Sequence, residues 1–342
     1  MSAISPLRNP LTTGPILLAI LCYPAKLASV LPPRLFELVT SVGVVRTLKI
    51  CLSISIGRFF SNRLSSLVLN NSKQAATLIK SQELALITGG ASGIGEMMAR
   101  EFATKGVRVV ILDLQPPKNE LPKSVFFYQC NVTDSSQLSE VGDAIRKAHG
   151  HPTILINNAG VAGTSSPLLS CTEAEVRKCF EVNTMSHFWT VKEFVPDMAK
   201  KNHGHVVTVS SMSAYLTLPG MVDYACTKNS TVAFHEGLRS ELRAKYNAPN
   251  VRTTLVSPTW VNTPLTADLF ANPRFKEVSV EAKTVVTSVV DQVLSGKSAH
   301  LILPRELNFV STLRAWPSWL QESIRYSRAK TLDIFEDIKA SS

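Results

Sequence analysis

Tyr224-Ala225-Cys226-Thr227-Lys228 sets a phenol and an ammonium four residues apart. On a helix that spacing puts both groups on one face. An ammonium beside a phenol favours the phenolate and draws down a pKa that starts near about 10. Such a tyrosine can work as a general acid or base. Ser211, thirteen residues upstream, adds a hydroxyl able to bond a substrate oxygen. The same Tyr–Lys spacing also describes an ordinary solvated helix face, so the claim rests on what accompanies the pair.

A glycine run accompanies it. Thr88-Gly89-Gly90-Ala91-Ser92-Gly93-Ile94-Gly95 follows the β-rich run Leu84–Thr88 and opens a helical stretch. Glycines let a backbone turn tightly and approach a pyrophosphate, and a helix start offers free N–H groups with the positive end of its dipole. Thr88, Gly89, Ser92, Gly93, Ile94 and Gly95 are therefore candidate contacts to a dinucleotide. Asp113 ends the next strand, eighteen residues beyond Gly95. A carboxylate there can accept both hydrogen bonds of an adenosine ribose diol and would repel a 2′-phosphate. Two charges about 4 Å apart cost up to roughly 4 kcal/mol at an effective dielectric near 20. No Lys or Arg in 88–95 or directly after Asp113 offsets this, which favours NAD over NADP. The alternative is that Asp113 only caps a turn. No metal site is expected: the seven His and six Cys show no ligand grouping. The cysteines suit reduced thiols facing the cytosol.

These residues need a scaffold. β-rich runs at 84–88, 107–114, 125–132, 153–157, 205–210, 251–257 and 300–303 alternate with helical segments near 94–105, 135–149, 173–200, 223–246 and 281–295. That alternation predicts an α/β fold, a parallel sheet with helices on both faces. Ligands of such sheets sit beyond the carboxyl ends of the strands.

Thr88–Gly95, Asn157-Asn158-Ala159-Gly160, Asn183, Ser211 and the Tyr224/Lys228 pair, in that order within 84–304, resemble the motif set of the short-chain dehydrogenase/reductases. The resemblance implies a doubly wound Rossmann domain of seven parallel strands and an NAD(P)-dependent enzyme acting on CH–OH groups. It implies that Tyr224 transfers a proton, that Lys228 binds the nicotinamide ribose and tunes Tyr224, and that Ser211 positions the substrate oxygen. Asn183 would hold a water in a proton relay. The Asn157–Gly160 stretch, with Asn158, Ala159 and Gly160 as cofactor contacts, would shape the adenine-side wall. Asn131 stands where the family has Asp, and would still accept from the adenine amino group beside Val132. Thr259 replaces the glycine after Pro258, which implies a different loop path before the cofactor contacts Val261 and Thr263. The stretches His187-Phe188-Trp189-Thr190, His203-Gly204-His205 and Asp223-Tyr224 are similar to the membrane-bound retinol and 17β-hydroxysteroid dehydrogenase-like branch. Homo-oligomers through the helices at 173–200 and 223–246 are a further implication.

The composition, 45% hydrophobic with 16 Gly and 19 Pro in 342 residues, excludes disorder and collagen-like repeats. The net charge of +10 is uneven. Residues 1–80 hold nine basic residues and one acid, whereas the rest hold 27 basic and 25 acidic. A basic, apolar segment beside a near-neutral body points to a membrane surface and away from nucleic acid. No charge occurs from Asn9 to Ala25, a helical length of roughly 25 Å, a little short of a span unless Lys26 snorkels. A second apolar stretch, 35–60, suits an interfacial helix with Phe36, Phe59 and Phe60 towards lipid. The expected organisation is a membrane-associating segment at 1–80, a catalytic domain at 81–305 facing the cytosol from the endoplasmic reticulum or a lipid droplet, and an amphipathic extension at 306–342. In that extension Phe309, Leu313, Trp316, Leu320 and Ile324 form a stripe that would pack on the core, a membrane or the substrate mouth. With Trp260, Leu265, Leu269, Phe270 and Phe275 it favours a lipophilic substrate such as a steroid, retinoid, terpenoid or fatty alcohol. The other readings are a tailoring dehydrogenase of a terpenoid or polyketide pathway and a non-catalytic nucleotide-binding protein at a lipid surface.

Overall fold

The computed structural model of the chain describes residues 80–341, together with positions 49, 52–54, 56, 57 and 60. The membrane-associating segment expected at 1–80 therefore lies almost wholly outside the described residues. Among the described residues no helix is long and apolar enough to cross a membrane.

The chain alternates as its pattern dictates. β1 (Leu84–Thr88) leads through the glycine turn into α1 (Gly93–Thr104) and β2 (Arg108–Asp113). Then come β3 (Val125–Gln129), α2 (Ser135–His149) and β4 (Ile154–Asn157). After β4 the chain forms α3 (Glu173–Phe180), a π-turn (Glu181–Met185), α4 (Ser186–Lys201), β5 (Gly204–Val209), α5 (Val222–Ala244) and β6 (Val251–Pro258). The short strands β7 (Trp260–Val261) and β8 (Ser279–Val280) flank α6 (Ala267–Ala271). α7 (Ala282–Leu294), β9 (Ala299–Leu303), a 3-10 stretch (Arg305–Ala315), α8 (Ser318–Ser327) and α9 (Lys330–Ser341) complete the chain.

Seven strands form one sheet in the order β3-β2-β1-β4-β5-β6-β9, and every pairing is parallel. Parallel sheets are covered on both faces, and alternation along β1 shows how. Ala85 and Ile87 pack with Met98, Ala99 and Phe102 of α1 and with Val285, Val289 and Val293 of α7. Leu84 and Leu86 face the other way, onto Leu138 and Ile145 of α2, Phe194 and Met198 of α4 and Leu238 of α5. Two helix starts, those of α2 and α3, are capped by short polar side chains. Asp134 accepts from the Ser136 and Gln137 N–H groups at 3.0 Å each, and Thr172 forms a capping box with Glu175.

Three departures from the sequence pattern have local causes. The helix expected across 173–200 is divided by the π-turn, which inserts a residue at Asn183. β3 stops at Gln129 because the Asn131 side chain turns the chain by accepting from Thr133. The stripe at 309–324 spans a 3-10 stretch and α8, meeting at Trp316 and Pro317. Its members Leu313 and Trp316 are buried against Met212, Tyr215 and Leu216, so the stripe packs on the body beside Ser211. The four described cysteines are free thiols, and no group of His, Cys, Asp or Glu among the described residues could hold a metal.

Burial drives the imidazoles of His187, His205 and His235 down to about 3. Unfolded imidazoles protonate near about 6.5, so between these values the unfolded chain binds more protons. Stability should therefore fall as pH drops from 6.5 towards 3, by about 1.4 kcal/mol per pH unit for each imidazole. Urea midpoints between pH 7 and 4 measure this, and His235→Phe should reduce the slope.

Candidate active site

β1 and β4 lie side by side, and their ends are stitched together. The Thr88 hydroxyl accepts from the N–H groups of Asn158 and Ala159, both at 3.0 Å. The Asn158 amide donates to the carbonyls of Thr88 at 2.9 Å and Gly89 at 3.1 Å. Space for side chains is thereby removed. A Cβ on Gly95 would collide with the Gly89 carbonyl, and one on Gly89 would lie 2.9 Å from Ala159 Cα. Gly89 and Gly93 also hold φ of +63° and +55°, open to glycine at little cost. What remains is a bare backbone cradle at the start of α1, the shape and charge that a pyrophosphate requires.

The rest of the crevice suits the nucleoside. Asp113 Oδ2 accepts the Ala91 N–H at 3.0 Å, which fixes the carboxylate beside the loop. Asp113 thus braces the turn and also lines the cavity. Asn131 is different from expectation. Its oxygen already accepts the Thr133 N–H at 3.1 Å and hydroxyl at 2.9 Å, so it has little capacity left for an adenine amino group. Val132 lines the cavity beside it. At the other end, Thr259 is absent from the residues with positive φ. Its N–H donates to Leu303 O at 2.8 Å and its hydroxyl to Val278 O at 3.1 Å. The chain therefore runs on as β7, and Val261 and Thr263 still reach the cavity.

The candidate reactive groups come from the end of β5 and from α5. Ser210 Oγ donates to the Lys228 carbonyl at 2.7 Å, tying the strand end to the helix. Ser211 begins the 3-10 turn Met212–Ala214 and accepts the Ser213 N–H at 3.2 Å. Lys228 is buried, donates to Val209 O at 3.1 Å and sits 5.5 Å from the centroid of the Tyr224 ring. Asn183, brought in by the π-turn, commits its amide to neighbouring groups. Its oxygen accepts the Val161 N–H at 2.8 Å, and its nitrogen donates to Val161 O at 3.0 Å and Thr227 Oγ1 at 3.2 Å. The side chain is thus a clamp on the 158–161 segment.

The electrostatics also depart from the spacing argument. Burial pushes the Tyr224 phenol up to about 12, with a hydrogen bond from Ser211 acting the other way. Burial pushes Lys228 down to about 8. Desolvation outweighs the expected pull of the ammonium on the phenol. The Tyr224 phenol is accordingly held in its neutral form at neutral pH.

One cavity of about 730 Å³ contains these groups. Of the candidate catalytic and cofactor-binding residues, all line it except Thr88 and Asn183, which brace its wall from behind, while Phe270, Phe275, Trp316 and Leu320 of the apolar set do not reach it. Met212, Leu216, Trp260, Leu265, Phe309 and Leu313 form its apolar half. Sequence reasoning gave Asp223 only as part of a motif, without a role, and missed the residues that α9 adds. Asp223 is buried and accepts the Thr164 N–H at 2.7 Å, against a glycine, Gly163, whose Cβ would strike the carboxylate. Phe335 and Ile338 reach the cavity from α9; their spacing of three was the available signal.

The family profile described as short chain dehydrogenase matches residues 83–274, which hold the whole cradle and the Ser–Tyr–Lys cluster. This chain belongs to the short-chain dehydrogenase/reductase family. As a member it is an oxidoreductase that acts on CH–OH groups with NAD(P). Dehydrogenase RED2 of Cochliobolus heterostrophus is 43% identical over 198 residues, 57% of this chain and 74% of that one. Human Estradiol 17-beta-dehydrogenase 11 is 32% identical over 240 residues, 68% of this chain and 78% of that one. Among solved structures, 4-hydroxyisoleucine dehydrogenase complexed with NADH has a TM-score of 0.58 at 19% identity, covering 64% of this chain and 96% of that one. That likeness concerns the fold.

The cradle has a direct test. Gly95→Ala forces the Gly89 carbonyl aside, and NADH affinity, measured by fluorescence titration, should drop at least about tenfold, equivalent to about 1.4 kcal/mol.

Proposed function

We propose that the protein interconverts a hydroxyl and a carbonyl on a lipophilic substrate (steroid, retinoid, terpenoid or fatty alcohol) and uses NAD in preference to NADP. The observation that carries this reading is the apolar lining that shares one cavity with Ser211 and Tyr224: Met212, Leu216, Trp260, Leu265, Phe309 and Leu313. The polar requirement of such a substrate is one oxygen, and the site offers hydroxyl groups for it.

A bound nicotinamide would accept or supply the hydride. The chain's own residues do the rest. Ser211 bonds the substrate oxygen and orients it. Tyr224 passes its proton to that oxygen in reduction and takes it back in oxidation. Lys228, anchored on Val209 O, steadies the charge that Tyr224 carries when deprotonated. Asn183 keeps the 158–161 segment in place, so the crevice wall does not collapse on the ring site. Asp113, held by Ala91, meets the ribose diol and disfavours a 2′-phosphate, which in a cell corresponds to the oxidative direction.

The same reading places the protein at an endoplasmic reticulum or lipid-droplet surface with its catalytic body in the cytosol. The basic, apolar residues 1–80 support it, as do Leu52, Ile56 and Phe60, which are helical, four apart and exposed. A homo-oligomer through α4 and α5 is favoured by Phe188, exposed on α4 and edge-on to Phe234 of α5.

The test is turnover by the full chain in detergent with NAD or NADP and a pool of apolar alcohols. NADH formation should exceed NADPH formation, and Tyr224→Phe should lower kcat by roughly 10²–10⁴-fold. Turnover of sugars or small polar alcohols with none of apolar ones would overturn the substrate class, and faster reduction of NADP would overturn the cofactor assignment.

A further inference from the structure

The family match ends at residue 274, yet the cavity does not. Part of its wall comes from α8 and α9, through Ile324, Arg328, Phe335 and Ile338. Phe335 is the best buried of these, 3% exposed. Its ring centroid lies 6.5 Å from that of Trp260, and its Cδ2 would lie 3.0 Å from a Cβ on Gly220. Gly220 holds φ +78° two residues before α5, the helix that carries Tyr224. The ring is thus lodged between the segment after β6 and the backbone that leads into the reactive helix.

Two crossed ion pairs hold it there. The segment after β6 supplies Arg274 and Glu277, while α9 supplies Asp337 and the turn after α8 supplies Arg328. Arg328 contacts Glu277 at 2.9 Å, and Arg274 meets Asp337 and also donates to Asp333 O at 3.4 Å. The signs are opposed on each side, so exchanging the partners would set Arg against Arg and acid against acid. Exposed pairs add little stability. Here they set register, while Leu269, Phe275, Ile334 and Phe335 supply the apolar packing.

We propose that Phe335 is a specificity-determining residue, a wall of the substrate compartment whose position is set by the Glu277–Arg328 and Arg274–Asp337 pairs. This rests on the lipophilic-substrate reading. The ring limits the bulk that fits beside Trp260, and a smaller side chain moves that limit outwards.

The experiment compares kcat/KM of the full chain across straight-chain alcohols of increasing length, then with a sterol. Phe335→Ala and the milder Phe335→Leu should shift the optimum to longer or bulkier alcohols, changing the long-to-short ratio by roughly tenfold or more. Glu277→Arg and Arg328→Glu should each blur the profile, and the double exchange should restore it. A length profile in Phe335→Ala parallel to wild type would overturn the proposal. If the wild type turns over no apolar alcohol, the lipophilic reading fails by itself. Binding of 1-anilinonaphthalene-8-sulfonate then supplies the readout: altered affinity in Phe335→Ala at unaltered NADH affinity supports the wall, and unaltered affinity for both overturns it.

Discussion

The structure depends on how closely two strand ends can approach. β1 turns towards β2 on one side, while β4 continues the sheet on the other, so a crevice must open between their carboxyl ends. Thr88 and Asn158 hold that crevice at backbone distance through four hydrogen bonds. The glycines at 89 and 95 are consequences of that closeness, since any side chain would push the two segments apart. With the cradle set, Asp113 falls beside it at the end of β2, and Gly160 brings the next segment past Asn183 and Lys228.

Much of this was legible in the chain. The seven strands followed from alternation of β-rich and helical runs, and the glycine loop, Asp113, Ser211, Tyr224 and Lys228 all stand on one cavity. Local pattern fails where a tertiary choice decides. Asn183 was legible as a motif, but its commitment to Val161 depends on a π-turn that no periodicity signals. Asn131 was legible as a substitution, but its use of its own oxygen to bind Thr133 is a loop decision. The wall from α9 was invisible because Ile334, Phe335 and Ile338 form an ordinary apolar stripe whose partner lies 60 to 115 residues earlier in the chain.

The Tyr–Lys pair shows why spacing alone misjudges electrostatics. Four residues on a helix bring the groups together, but the same burial that excludes water penalises both charges. The phenol and the ammonium are each driven towards neutrality, and the Val209 carbonyl, not the phenolate, takes the bond from Lys228 Nζ. A site closed enough to protect a reaction is therefore also one that resists charging its own residues.

The strand order has a consequence for how the chain is made. Synthesis runs from the N-terminus, and domains fold as units. β1 and β2 can pair early, but β1 gains its second neighbour only when β4 has emerged some seventy residues later. Until then one edge of the most apolar strand is unpaired, and such edges invite pairing with another chain. The reactive helix comes later still, and the compartment beside it closes only with the final helix. On the ribosome, the order of emergence is thus the glycine crevice first, Tyr224 second and the cavity wall from α9 last.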